Sequence, residues 1–167
     1  MQILQVLLAA FLLLLLGDFV ATFIYHVPEH VFGRYHSLVH HSPNRSFVLY
    51  SIRARRPQAL IPGFLGAFPY FMWVPLLWLL SAPGTLLGLL LAESHVIWRH
   101  RFEADYRTPR WLQRLCRCLC ITTPERHRLH HRNANLAFGD VFTFYGAPAR
   151  RWLRWLRRIK RRASQAI

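Results

Sequence analysis

Histidine is the residue best placed to do chemistry in this chain, and its ten copies are grouped rather than scattered. They fall as H-x₃-H (His26, His30), H-x₃-H-H (His36, His40, His41), H-x₄-H (His95, His100) and H-x₂-H-H (His127, His130, His131). Side chains three or four apart share a helix face, about 5–6 Å apart at Cβ, so two imidazoles so placed can converge on one ion. The adjacent pair in H-x₂-H-H widens the fan, and one such helix can serve two ions. A zinc site takes about four protein ligands if structural, or three plus water if catalytic. Ten histidines exceed that, and two metals with open positions fit the count better. Imidazole suits Fe, Cu, Zn and Ni alike, so the spacing does not name the metal. The competing readings of such clusters are polar filler beside a membrane and a pH sensor.

The acids bear on the same chemistry. Glu29, Glu93 and Glu125 each lie within two residues of a histidine. Ligating imidazoles commonly donate their second N–H to a carboxylate, which makes these three supporting candidates; ion pairs with neighbouring arginines compete. Asp18 stands inside an apolar stretch, two turns before His26. An ionisable residue there marks either a functional site or a polar contact between helices. The three cysteines, in "LCRCLCI" (115–121), alternate along the chain. They scatter over helix faces and lack the C-x₂-C spacing of a zinc site, so they read as small apolar residues in a reducing setting.

The elements that must carry these residues are membrane-like. The chain has 167 residues, is 53% hydrophobic and carries a formal charge of +15, the size of one domain and an unusual pairing of apolarity with charge. Residues 3–25 are long and apolar enough to cross the ~30 Å of hydrocarbon. They lack the basic start and the cleavage site of a secretion signal. Residues 57–92 contain no charged residue or histidine and suit two passes around "SAPG" (81–84). The expected fold is therefore all-α: one membrane-embedded domain over 1–167, with about three transmembrane helices near 3–25, 59–80 and 84–98. Pro62, Pro69 and Pro75 should distort the second, and a re-entrant hairpin over 59–98 is the alternative. Every Lys and Arg lies in 34–56 or after 98. Three crossings put both regions on one side, cytoplasmic by the positive-inside rule, with all the histidines at that face. Basic stretches near 109–121 and 149–162 carry Trp/Leu faces and read as helices lying in the membrane interface. Nucleic acid, the other partner of interleaved Arg and Trp, is excluded beside three apolar segments.

Three blocks, "GDFVATFIYHVPEHVFGRYHSLVHHSPN" (17–44), "ESHVIWRH" (93–100) and "TPERHRLHHRNANLAFGDVFTFYGAP" (123–148), resemble the fatty acid hydroxylase/sterol desaturase superfamily of membrane di-iron oxygenases. The last is the most specific: a Pro just before H-x₂-H-H, then Asn135, then the aromatic–Gly pair at 138–139. The short length, the central H-x₄-H and the ending "FGDVFTFYGAP" are similar to bacterial carotenoid hydroxylases. The chain departs in its second motif, H-x₃-H-H where the family usually has H-x₂-H-H, and in three crossings rather than four. The resemblance implies two iron ions held by the ten histidines, with Asn135 as a supporting residue. It implies O₂ activation against a C–H bond of a fatty acyl, sterol-like or carotenoid lipid entering from the bilayer. No flavin, haem or iron–sulfur motif is visible, so electrons must come from an external donor such as a ferredoxin or cytochrome b5-like carrier. Two other classes compete: a non-oxidative membrane metal protein, including a zinc-dependent lipid hydrolase, and a structural subunit whose histidines bind a pigment or haem.

Overall fold

The computed structural model describes residues 2–33, 55, 57–100, 106–133 and 135–165. Among these the structure is helical, with no strand and one isolated antiparallel bridge, Ile121 to Phe142. The chain opens with α1 (Gln2–Val20), passes through a π-helical turn (Ala21–His26) and ends in α2 (Val27–Phe32). Together these form one unbroken 31-residue helical run, seven residues longer at its end than the apolar stretch suggests, and long and apolar enough to cross a membrane.

Pro28 accounts for the π turn. It has no N–H to return to the preceding turn, and its ring crowds the carbonyl four residues back. The helix widens: the Val27 N–H bonds to the Thr22 carbonyl, five residues back. In that register the Phe23 carbonyl would need the missing N–H of Pro28; the Trp152 indole N–H donates to it instead, at 2.9 Å. The wide turn ends at His26 and so sets that ring's direction. Single π turns of this kind concentrate at functional sites.

The second expected segment is broken rather than continuous. A 3₁₀ turn (Pro57–Leu60) leads into α3 (Ile61–Phe71), and α4 (Val74–Leu80) follows a turn at 72–73. The break falls just before Pro75, which cannot donate to the Phe71 carbonyl. The third segment is α5 (Ala82–Arg99), where the Ser81 hydroxyl caps the helix by accepting from the Gly84 N–H at 3.1 Å. Of the three segments read as crossings, Gln2–Phe32 alone qualifies by length and apolarity among the described residues.

α1 packs most closely on α5, and the reason is a stripe of small residues. A Cβ at Gly84 would lie 2.5 Å from the Val6 carbonyl oxygen, and one at Gly88 would lie 3.1 Å from Ala10 Cα. Gly84, Gly88 and Ala92 recur every fourth residue against buried Ala9, Ala10 and Leu13. Small residues at this spacing let backbones approach, the packing on which helices in lipid rely. Elsewhere these helices are coated with exposed apolar side chains, among them Ile3, Leu7, Phe68, Leu79 and Leu90. An apolar surface of that extent marks a membrane or partner contact.

The basic helices α6 (Arg110–Cys118) and α8 (Gly146–Gln165) differ from each other. In α6 only Cys116 is buried, and Trp111 and Leu115 of the expected apolar face stay exposed. In α8, Leu153 and Leu156 are buried in a cluster with Val27, Val31 and Phe138, so this part of the apolar face is taken up by the protein itself, while Trp155 and Ile159 stay exposed. Between them lies α7 (Pro124–Arg132), capped by the Thr123 hydroxyl, which accepts from the Arg126 N–H.

Candidate metal centre

Among the described residues, six of seven histidines converge as two groups of three, His26 with His30 and His130, and His100 with His127 and His131. Nε2 of His130 lies 2.9 Å from Nε2 of His26 and 3.1 Å from Nε2 of His30. Nε2 of His127 lies 3.1 Å from Nε2 of His100 and 3.0 Å from Nε2 of His131. Nitrogens at these separations can share one ion at the usual metal–imidazole distance of about 2.1 Å with ligand–metal–ligand angles near 90°. The short helix α7 feeds both groups: His130 serves the first, His127 and His131 the second. The groups adjoin, with ring centroids of His127 and His130 6.2 Å apart and those of His130 and His131 6.3 Å apart.

The remaining ring nitrogens show why Nε2 faces inward. His130 Nδ1–H donates to the Leu136 carbonyl at 2.7 Å, and His100 Nδ1–H to the Val96 carbonyl at 2.7 Å. His26 Nδ1 faces the Asp140 carboxylate at 3.3 Å. A donor fixed on Nδ1 leaves the Nε2 lone pair for a metal. Burial also keeps His130, His100 and His127 neutral. It pulls His130 down to about 3, with His26 adding to the effect, and His100 down to about 4, with Arg99 adding. Burial and Arg99 hold His127 well below the ordinary value. Neutral imidazoles with a directed lone pair are what a metal needs, so the residues present fit one.

Several positions that carry this arrangement escape a reading by histidine spacing. Asp140 lies 3.3 Å from His26 and 3.1 Å from Arg99 Nη1, with all three side chains nearly dry. Burial raises the Asp140 pKa, but Arg99 and His26 more than offset this and hold it ionised. Asp18 holds the loop bearing Asp140. Its Oδ1 accepts from the Thr22 hydroxyl and the Asp140 N–H, and its Oδ2 from the N–H groups of Val141 and Phe142. Phe138 is fully buried and packs edge-on to His26, His30 and His130 at 4.9–5.6 Å. Gly139 has φ of +101°, and a Cβ there would meet the Phe142 carbonyl at 2.2 Å. The aromatic–Gly pair is thus a wall for the first group followed by a turn only glycine fits. The signal for Asp140 was its place directly after that pair.

The other candidates among the described residues are not members of the two groups. His95 donates Nε2–H to the Thr122 carbonyl at 2.8 Å and leaves Nδ1 buried without a hydrogen-bond partner. Glu125 accepts from the N–H and hydroxyl of Thr108 and so ties α7 to the segment before α6. Glu93 is exposed, and Glu29 packs its carboxyl where a side chain at Gly33 would go. Asn135 is exposed; it donates to Asn133 and accepts from Arg157 at 2.6 Å. His36, His40 and His41 lie outside the described residues.

Paired three-imidazole groups, one of them drawing two rings from the end of a long apolar helix, define a class, the histidine-rich helical proteins whose imidazoles can hold metal. The fatty acid hydroxylase family model matches residues 10–147, and the chain belongs to that family. Membership implies an oxidoreductase acting on lipid. Comparison with curated proteins gives no match, and comparison with solved structures gives none.

Proposed function

We propose that this chain is a membrane non-haem di-iron oxygenase that uses O₂ to hydroxylate or desaturate a C–H bond of a lipid, working as one membrane-embedded unit over residues 1–167. The observation that carries the reading is the pair of adjoining three-imidazole groups, each with Nε2 atoms about 3 Å apart, inside a chain of the fatty acid hydroxylase family. His26, His30 and His130 would hold one ion, and His100, His127 and His131 the other. His36, His40, His41 and His95 remain candidates to complete them. When bound, the iron pair supplies the redox chemistry that activates O₂. Hydroxylation inserts one oxygen atom into C–H and reduces the other to water with two electrons and two protons. Desaturation removes two hydrogens and reduces both oxygen atoms to water with the same input. The electrons come from an external carrier.

The protein's own residues do the positioning. Asp140, the Leu136 carbonyl and the Val96 carbonyl fix three rings, Phe138 keeps water from the first group, and Asp18 anchors the loop. The long helix Gln2–Phe32 and the apolar surfaces of α3–α5 favour a multi-pass membrane setting with the basic, histidine-bearing face cytoplasmic. The lipid enters from the bilayer beside these helices.

The test joins metal content to product profiling on one preparation. The purified protein should hold about two irons per chain, as two three-imidazole sites require. Expressed with iron and a reductase in a carotenoid-accumulating host and in a lipid-profiled host, it should give an oxygenated or desaturated product in one. Product in neither host overturns the proposal. One zinc per chain, with activity indifferent to added iron, would instead indicate the hydrolytic or metal-binding alternative.

A further inference from the structure

We propose that the cleft between the C-terminal half of α8 and the end of α2 is the docking site of an acidic, soluble electron-transfer protein. This deepens the oxygenase reading and rests on it. The cleft, of about 470 Å³, is lined by His30, Arg157, Lys160, Arg161 and Ser164, and among the described residues no aspartate or glutamate lines it. His30 is a member of the first three-imidazole group. A partner seated here is therefore one imidazole away from the proposed metal, and one electron per encounter, in two encounters, meets the need of a turnover.

Three observations favour a protein carrier. The rim is cationic and fixed before any partner arrives. Arg157 Nη1 donates to Asn135 Oδ1 at 2.6 Å, and Lys160 Nζ donates to the Val31 carbonyl and sits 5.8 Å from the centre of the Phe32 ring. Asn135, from the most specific sequence block, thus meets the rim rather than an imidazole. Preorganised charge of one sign favours an acidic partner chiefly through encounter rate and orientation. The cleft also lies far along the long helix. At about 1.5 Å per residue His30 is roughly 40 Å from Gln2, past the ~30 Å of hydrocarbon. Finally, Leu153 and Leu156 are buried against α2, and the apolar residues of α8 that stay exposed, Trp155 and Ile159, lie two positions either side of Arg157, about 160° around the helix from it and away from the cleft.

The experiment uses the full-length protein in nanodiscs of neutral phosphatidylcholine. Binding of an acidic [2Fe–2S] ferredoxin and of a soluble cytochrome b5 domain is measured at low and moderate salt. Arg157→Glu with Arg161→Glu is compared with Arg151→Glu and Arg162→Glu, which makes the same charge change on another face of α8. The first pair should weaken binding of at least one carrier by roughly tenfold or more and flatten its salt dependence, and the second by less than about threefold. Equal losses for both pairs, or no binding of either carrier to the unaltered protein, overturn the proposal. So does a first pair that keeps carrier binding but loses binding to phosphatidylglycerol vesicles, which would make the cleft a lipid headgroup site. Binding is read without reference to metal. A protein that docks a carrier here yet holds no iron would therefore sink the oxygenase reading separately.

Discussion

Replacing Asp18 by Asn tests whether the metal groups depend on a carboxylate that touches neither. Asp18 is fully buried and accepts four hydrogen bonds on two oxygens, three from consecutive backbone N–H groups at 140–142 and one from Thr22. The three backbone N–H groups can only donate, so both oxygens of the Asp18 carboxyl group act as acceptors. Asparagine keeps one acceptor oxygen. In its best rotamer that oxygen faces Val141 and Phe142, while the amide N–H₂ faces Thr22 and the Asp140 N–H. The hydroxyl can turn to accept, but the Asp140 N–H is orphaned, at about 1–3 kcal/mol, and the bonds from Val141 and Phe142 pass from a carboxyl to an amide oxygen, at roughly 0.5–1 kcal/mol each. The sum is about 3 kcal/mol, a large share of the ~5–15 kcal/mol that holds a typical domain. Thr22→Val removes one donor and should cost only about 1 kcal/mol. Thermal unfolding in detergent, with iron per chain measured alongside, reads both effects. Asp18→Asn should lower the midpoint well beyond Thr22→Val and should also release metal, because the loosened loop carries Asp140. If Asp18→Asn melts with the unaltered protein, or if Thr22→Val is the more damaging, the anchoring argument is wrong.

The remaining predictions use other parts of the structure. His130→Ala removes the imidazole that lies 2.9 and 3.1 Å from its two neighbours; iron per chain should fall to about half, with activity lost and membrane insertion unchanged, by metal analysis and turnover. Gly84→Ala drives a Cβ against the Val6 carbonyl, whereas Gly66→Ala meets nothing within 4 Å. The first should destabilise by roughly 1–3 kcal/mol and the second be neutral or stabilising by up to about 1 kcal/mol, in matched melts. Burial raises the pKa of Glu125, but bonds from Thr108 lower it further, for a net fall below its ordinary 4.5. A depressed carboxylate stabilises above its unfolded pKa and loses that as pH falls through the folded value. Glu125→Gln should therefore flatten the loss of stability below pH 4.5, measured as melting temperature against pH.

Much of the centre could be read from spacing because helix geometry is local. His127, His130 and His131 sit on one short helix, and their i, i+3 and i+4 relations already place them on neighbouring faces. The same holds for His26 and His30, one turn apart. Spacing could not show which rings meet across the chain. His26 reaches His130 over 104 residues, and His100 reaches His127 over 27. Nor could it separate His95 from His100, whose shared motif reads as a pair although His95 bonds to a backbone carbonyl instead. α6 and α8 carry the same arginine-and-tryptophan pattern, yet among the described residues α8 buries Leu153 and Leu156 against α2, while α6 buries Cys116 alone. Amphipathicity says that a face must be covered, not by what.

The supporting atoms were hardest to foresee because most are backbone, and every residue has a carbonyl. The ring acceptors are the carbonyls of Leu136 and Val96, and Asp18 acts on three backbone N–H groups. What the sequence does carry are the residues that bend the chain so these groups arrive. Pro28 forces the wide turn that ends at His26, Trp152 meets the carbonyl it strands, and Gly139 permits the reversal that sends Asp140 back to His26. A proline between two histidines and a glycine before a buried acid are therefore as much part of the metal centre as the imidazoles. Substituting either should disturb the rings without removing one.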